Sequence, residues 1–302
     1  MLNGCTLAMN IESPYIENMW RNHKIMCVYI VIFRYKKLIW VFTHRYTNMN
    51  EVDELIERSK KIQFDAKRHI YYLADRPFYP YQSVTTLIRT FEHEFNPIAV
   101  SMACVKKKGG EYYGRNAQEV RDGWSMSNRY ISELGTRTHE YAELTILGKD
   151  TKSPECIKEE GYRNSWFEWW KINSLNNHIV IPELRLYNEK LYLAGTCDFF
   201  AEKDNGHIFI GDFKTSGEIK KENKFKNFKR PLTHLSECNY NKYCLQLNIY
   251  KRLILDTIPN AIFDTMNIVW IREDRFENIP VGDMSQEVEL IFKNRLETIE
   301  RR

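Results

Sequence analysis

The sequence predicts an α/β fold: a mixed central β-sheet flanked by helices, with a helical part on its N-terminal side. Two observations carry this. Apolar residues recur at helical spacing through the first half of the chain, and from residue 178 the pattern alternates over three consecutive runs. After those runs come a helix, a strand and a helix, which favours a mixed sheet over a doubly wound parallel one.

In "NEVDELIERSKKI" (50–62) Val52, Leu55, Ile56 and Ile62 lie at helical spacing between charges, so 50–75 reads as helix. "DRPFYPYQS" (75–83) reads as a Pro-punctuated loop. "SVTTLIRTFEHEF" (83–95) has the Ser/Thr start of a capped helix. "GGEYYG" (109–114) is a turn, residues 125–149 a long helix, and "SWFEWWKINS" (165–174) a short aromatic one. The strand-like runs are 178–187, 190–202 and 207–216. A basic loop (216–232), an amphipathic helix (239–258), a strand (263–272) and a terminal helix (285–302) complete the chain.

The chain has 302 residues and a net charge of +4. Its 43% hydrophobic and 28% charged composition suits a globular protein. Six basic residues among 1–48, against Glu12 and Glu17, account for the surplus, so any basic groove in the body must be local. The 7 cysteines include no C-x-x-C, which argues against a disulfide scaffold or zinc ribbon and for a reducing, cytoplasm-like compartment. The apolar window 25–43 is interrupted by Arg34, Lys36 and Lys37, so stable membrane insertion is not expected. No clear secretory or mitochondrial leader is visible. Residues 1–48 read as an accessory extension, and Met49 is a candidate initiator before the helix at 50.

The chemistry concentrates in "HIFIGDFKTSG" (207–217). If Asp204–Asn205–Gly206 is a three-residue hairpin loop, Gly206 supplies its left-handed residue and Lys203 faces His207. Asp198 then lies opposite Asp212, with Lys214 on the same face. A two-residue loop would shift this pairing by one. Opposed carboxylates repel unless a cation sits between them. Lys214 can neutralise one; a divalent Mg²⁺ or Mn²⁺ satisfies both and leaves Lys214 to orient or deprotonate an attacking water. The plainer alternative is a surface hairpin with an ordinary salt bridge. The segment 220–230 holds six basic residues with Phe225 and Phe228 interleaved, as in a phosphate-contacting segment with stacking rings, or a solvated loop. Trp166, Trp169 and Trp170 read as packing residues rather than stacking platforms.

"GTCD" (195–198), "GDFKTS" (211–216) and "QLNIY" (246–250) match, in order, the G-x-x-D, hydrophobic D-x-K and Q-x-x-x-Y signatures of RecB-type PD-(D/E)XK nucleases. "GTRTHEYAE" (135–143) is similar to their helical G-x-x-x-H segment. "QSVTTLI" (82–88) resembles the Ser-Val-Thr segment of the mitochondrial genome maintenance exonuclease and related phage exonucleases. The resemblance spans roughly residues 78–255 and implies a restriction-endonuclease-like core. Residues 49–135 would be a helical covering part and 136–302 the catalytic core.

The resemblance implies that Asp198, Asp212, the Phe213 carbonyl and His139 bind metal. Lys214 would act on the water, and Gln246 and Tyr250 would line the site. Ser83, Thr85, Thr215, Ser216, Lys224, Lys226, Lys229 and Arg230 are candidate DNA contacts. Glu183 stands where the family often has an acidic residue, as a ligand or as a structural ion-pair partner. Only Cys238 and Cys244 lie near the last motif, so no iron–sulfur cluster is expected. The implied activity is Mg²⁺- or Mn²⁺-dependent DNA exonuclease action on single strands or ends, alongside recombination or replication proteins. The alternatives are a lambda-type oligomeric exonuclease on duplex ends and a catalytically idle DNA-binding subunit.

Overall fold

In the computed structural model, the residues described are 51–301 apart from 69, 175 and 176. The extension 1–48, its apolar window and Met49 lie outside them. From Glu51 onward the chain is one compact unit.

Helix α1 (Glu51–Lys61) opens with Glu51, Asp53 and Glu54 and closes with Arg58, Lys60 and Lys61, matching the helix dipole at both ends. It stops earlier than the sequence suggests. The Asp65 carboxylate accepts the amides of Lys67 and Arg68, making a turn between strands β1 (Ile62–Asp65) and β2 (Ile70–Leu73). The Pro-punctuated stretch expected to be a loop is strand β3 (Arg76–Ser83). Its prolines are tolerated because only Gln82 and Ser83 meet a neighbour on the second edge. Helices α2 (Val84–Arg89), α3 (Pro97–Lys106), α4 (Ala117–Ile146) and α5 (Ile157–Asn173) follow. Sequence periodicity missed α3, which is apolar nearly all round. The expected division at 135/136 falls inside α4, and the "covering part" contributes three strands to the sheet; this corrects that boundary.

Strands β4 (Asn177–Asn188), β5 (Leu193–Lys203), β6 (Ile208–Lys214), β7 (Phe263–Ile271) and β8 (Phe276–Pro280) complete an eight-stranded mixed sheet. The sheet runs β1-β2-β3-β5-β6-β7-β8, with β4 on the other edge of β5. The β3–β5 and β6–β7 pairs are parallel and the others antiparallel. Helices α6 (Asn239–Leu255) and α7 (Ser285–Glu300) pack on one face. The class is therefore α/β with a mixed, helix-flanked sheet, as the sequence predicts.

Alternation along β6 explains its apolar composition. Ile208 and Ile210 enter the cluster under α6 and α7, whereas Phe209 and Phe213 join Trp166, Trp169 and Phe199 under α5. Trp166 and Trp169 are fully buried packing residues. Among the described residues no helix is long and apolar enough to cross a membrane.

Candidate active site

The site is a gap in the sheet. On one edge β5 pairs with β3 at Leu193 and Ala194, and with β6 from Phe199 to Glu202. Residues 195–198, the "GTCD" segment, have no strand partner on that edge. The hairpin has the three-residue loop: the Lys203 amide donates to the His207 carbonyl at 2.9 Å and Gly206 has φ +79°. The pairing Phe199↔Gly211 puts Asp198 across from Asp212, the register the sequence predicts. Beyond it the strands part. The next ladder bond would take the Phe213 amide to Cys197; that amide donates instead to the Asp198 carboxylate at 2.7 Å.

Two glycines let neighbours close on this gap. A Cβ on Gly195 would lie 2.6 Å from the Tyr250 ring and 3.0 Å from Val84. Glycine therefore admits Tyr250 against β5. A Cβ on Gly135 would stand 3.0 Å from Thr215 Oγ1, so α4 passes close to the end of β6. One turn later His139 Nε2 lies 3.1 Å from the Phe213 carbonyl. Its Nδ1 faces Asp198 at 3.6 Å and Glu183 at 3.9 Å.

His139, Glu183 and Asp198 each offer a ligand atom, all within 4.8 Å of one another. Glu183 enters from β4 with φ +49°, a conformation that costs a non-glycine residue about 1–3 kcal/mol and is held by its surroundings. The donors are hard oxygens plus one imidazole, and the Phe213 carbonyl is beside them; this set fits Mg²⁺ or Mn²⁺. Glu183 thus stands beside His139 and Asp198. Asp212 stands apart from the three. Its Oδ2 forms an ion pair with Lys214, and its Oδ1 accepts from Gln246 Nε2 at 2.9 Å.

Without metal, two cations, His139 and Lys214, face the site's three acids, Glu183, Asp198 and Asp212. Burial works against the imidazolium, but Asp198 outweighs it and pushes His139 up to about 10. Both ring nitrogens then face acceptors, as an imidazolium requires. Burial opposes the Asp198 carboxylate too, yet His139, Lys214 and the Phe213 amide hold its pKa below the usual carboxylate value. Burial raises Glu183 and pushes Asp212 up to about 6, against the pull of Lys214. Burial disfavours the Lys214 ammonium, but Asp212 and Asp198 overcome this and raise its pKa.

Gln246 and Tyr250 act one layer back. Gln246 donates to Asp212 and to the Tyr250 hydroxyl at 3.1 Å. Two residues escaped the sequence reading. Tyr243 presents its ring 5.0 Å from Lys214 Nζ, and its place three residues before Gln246 on one helix face was an available signal. The Tyr71 hydroxyl bonds to Thr196 at 3.0 Å, which no local pattern announces.

Among the candidate DNA contacts, Ser83 is buried and caps α2 by accepting the Thr86 amide, while Thr85 is exposed. Thr215 is buried against Gly135, and the Ser216 carbonyl accepts from the Trp270 indole. Lys224, Lys226, Lys229 and Arg230 are exposed. Phe228 is buried in the core and does not stack on a ligand; its partner Phe225 is 93% exposed.

No family model matches this chain, and no curated protein matches it. A solved structure described as "Crystal structure of SSO0001" is 15% identical, covering 59% of this chain and 87% of its own, with a TM-score of 0.25. At that TM-score the likeness carries no argument, so the fold class rests on the sheet and its helices alone.

Proposed function

We propose that this chain is a Mg²⁺- or Mn²⁺-dependent DNA nuclease, acting as an exonuclease on single strands or strand ends. The observation that supports it most is the meeting of His139, Glu183 and Asp198 at a break in the sheet, with the Asp212–Lys214 pair beside them. An ordinary surface salt bridge does not account for three buried or half-buried acids sharing one gap. The preference for DNA and for an end rests on the resemblance of the motifs to RecB-type nucleases.

His139, Glu183, Asp198 and the Phe213 carbonyl would hold the metal, with Asp212 beside them held by Lys214 and Gln246. The metal would supply Lewis-acid stabilisation of the phosphoryl oxygens. The chain's own residues prepare for this. The Phe213 amide fixes the Asp198 carboxylate, and Gln246 with Tyr250 fixes Asp212. In the metal-free site Asp212 and Asp198 raise the Lys214 pKa; a cation held by Asp198 would offset part of that pull, leaving Lys214 to orient or deprotonate the attacking water.

The test is an incubation with end-labelled single- and double-stranded DNA under Mg²⁺, Mn²⁺ or EDTA. Metal-dependent shortening of the single strand is expected. Absence of cleavage with either metal on either substrate would end this reading, and cutting of a circular strand would replace "exonuclease" with "endonuclease".

A further inference from the structure

The basic segment before α6 is an ordered shelf. The Phe228 amide donates to the Leu235 carbonyl at 3.0 Å, and the Lys229 amide to the Phe91 carbonyl at 2.7 Å. Asn223 Nδ2 donates to the Glu237 carbonyl at 3.0 Å, and Asn223 Oδ1 accepts the Phe225 amide at 3.1 Å. Phe228 is driven into the core at 1% exposure while Phe225, three residues earlier, is held out at 93%. The backbone thus fixes one aromatic ring in water between Lys224 and Lys226.

Phe225 rims an open groove of about 430 Å³ lined also by Lys220, Lys224 and Lys242. Two acids, Glu222 and Glu237, face its three lysines, and Glu237 is engaged by the His93 amide and imidazole. Lys242 reaches Glu92 at 3.2 Å and Lys220 reaches Glu218 at 3.5 Å, exposed or half-exposed pairs that hold little energy. Lys224 has no acidic partner among the described residues. The groove lies at the start of α6. Lys242 is one helical turn, about 6 Å, before Gln246, which holds Asp212.

We propose that this groove binds a nucleotide of a single DNA strand flanking the one at the metal site. Its base stacks on Phe225 and its phosphate lies against Lys224 and Lys220. A duplex keeps its bases stacked on one another and has no free face for the ring, so the subsite selects an unpaired strand. This rests on the nuclease reading for its orientation toward Asp212, but its binding chemistry stands alone.

The experiment is fluorescence anisotropy of a fluorescein-labelled oligothymidylate with the full chain in EDTA, where cleavage does not interfere. Phe225→Ala is expected to weaken binding by roughly 5- to 100-fold, and Phe225→Tyr to keep it. Lys224→Ala should lower the slope of log affinity against log salt by about 0.7. Because both side chains are exposed, the thermal midpoint should not move. Wild-type affinity in Phe225→Ala overturns the groove and leaves the nuclease reading standing. Loss of affinity on Phe225→Ala, with no metal-dependent cleavage by wild type, supports the groove and removes the nuclease. No binding by wild type in EDTA overturns the groove, and the nuclease reading then stands or falls on the cleavage assay alone.

Discussion

The Phe213 amide donates to the Asp198 carboxylate at 2.7 Å, so a side chain joins the two strands where a ladder bond would otherwise stand. This makes Asp198 structural as well as chemical. Asp198→Ala leaves a buried amide unpaired, costing about 1–3 kcal/mol, readable as a lowered urea midpoint. Asp198→Asn keeps an acceptor oxygen and the fold but loses metal-dependent cleavage. Equal midpoints for the two variants would show that the bond contributes nothing.

Gly195 is needed for space. Gly195→Ala places a methyl 2.6 Å from the Tyr250 ring, and the ring cannot retreat from a close-packed core. A destabilisation of about 1–3 kcal/mol is expected, measured by thermal or urea unfolding. An unchanged midpoint would mean that Tyr250 is free to move.

Lys214→Ala removes the ammonium paired with Asp212. Cleavage is expected to fall by about 10²–10³ while single-strand affinity stays at the wild-type level. A loss of affinity with turnover unchanged would assign Lys214 to binding instead.

Gln246→Ala frees the Asp212 carboxylate from its fixed position. Since outer partners of a metal site typically contribute about 10–100-fold, a loss of that size in metal affinity or cleavage is expected. Gln246→Glu should be at least as damaging, because it sets a second carboxyl against Asp212. Wild-type behaviour of both variants would remove Gln246 from the site.

Metal affinity should rise with pH. His139 binds metal only as neutral imidazole, and in the metal-free site its pKa is pushed up to about 10. Below that value the ion must displace a proton, so affinity climbs as pH increases toward it and falls as pH drops. Calorimetric titration with Mn²⁺ at several pH values, in buffers of different ionisation heat, should show proton release. His139→Gln should flatten the dependence. A flat wild-type profile contradicts the assignment of His139 as a ligand.

Much of this site was legible because it is local. Gly206 after Asp204–Asn205 sets the hairpin loop, and the loop sets which residues oppose. Gln246 and Tyr250 share a helix face by spacing alone. Strands β1–β3 were less legible: the helix before them has no break residue, and Pro77 and Pro80 imitate a loop. β1, β2 and β3 pair with one another locally, but the attachment of β3 to the rest of the sheet depends on β5, over a hundred residues away.

The sequence by itself determined the hairpin, its register, the helix carrying Gln246 and the apolar anchoring of β6. Each follows from turn chemistry or from a period of 2 or 3.6. Only the tertiary structure decided that β3 and β6 share one edge of β5 and leave residues 195–198 between them. Only it decided that Glu183 rather than Asp212 stands nearest His139 and Asp198. Those outcomes come from long-range packing, where Lys214 holds Asp212 aside and a strained backbone at Glu183 turns its carboxylate inward.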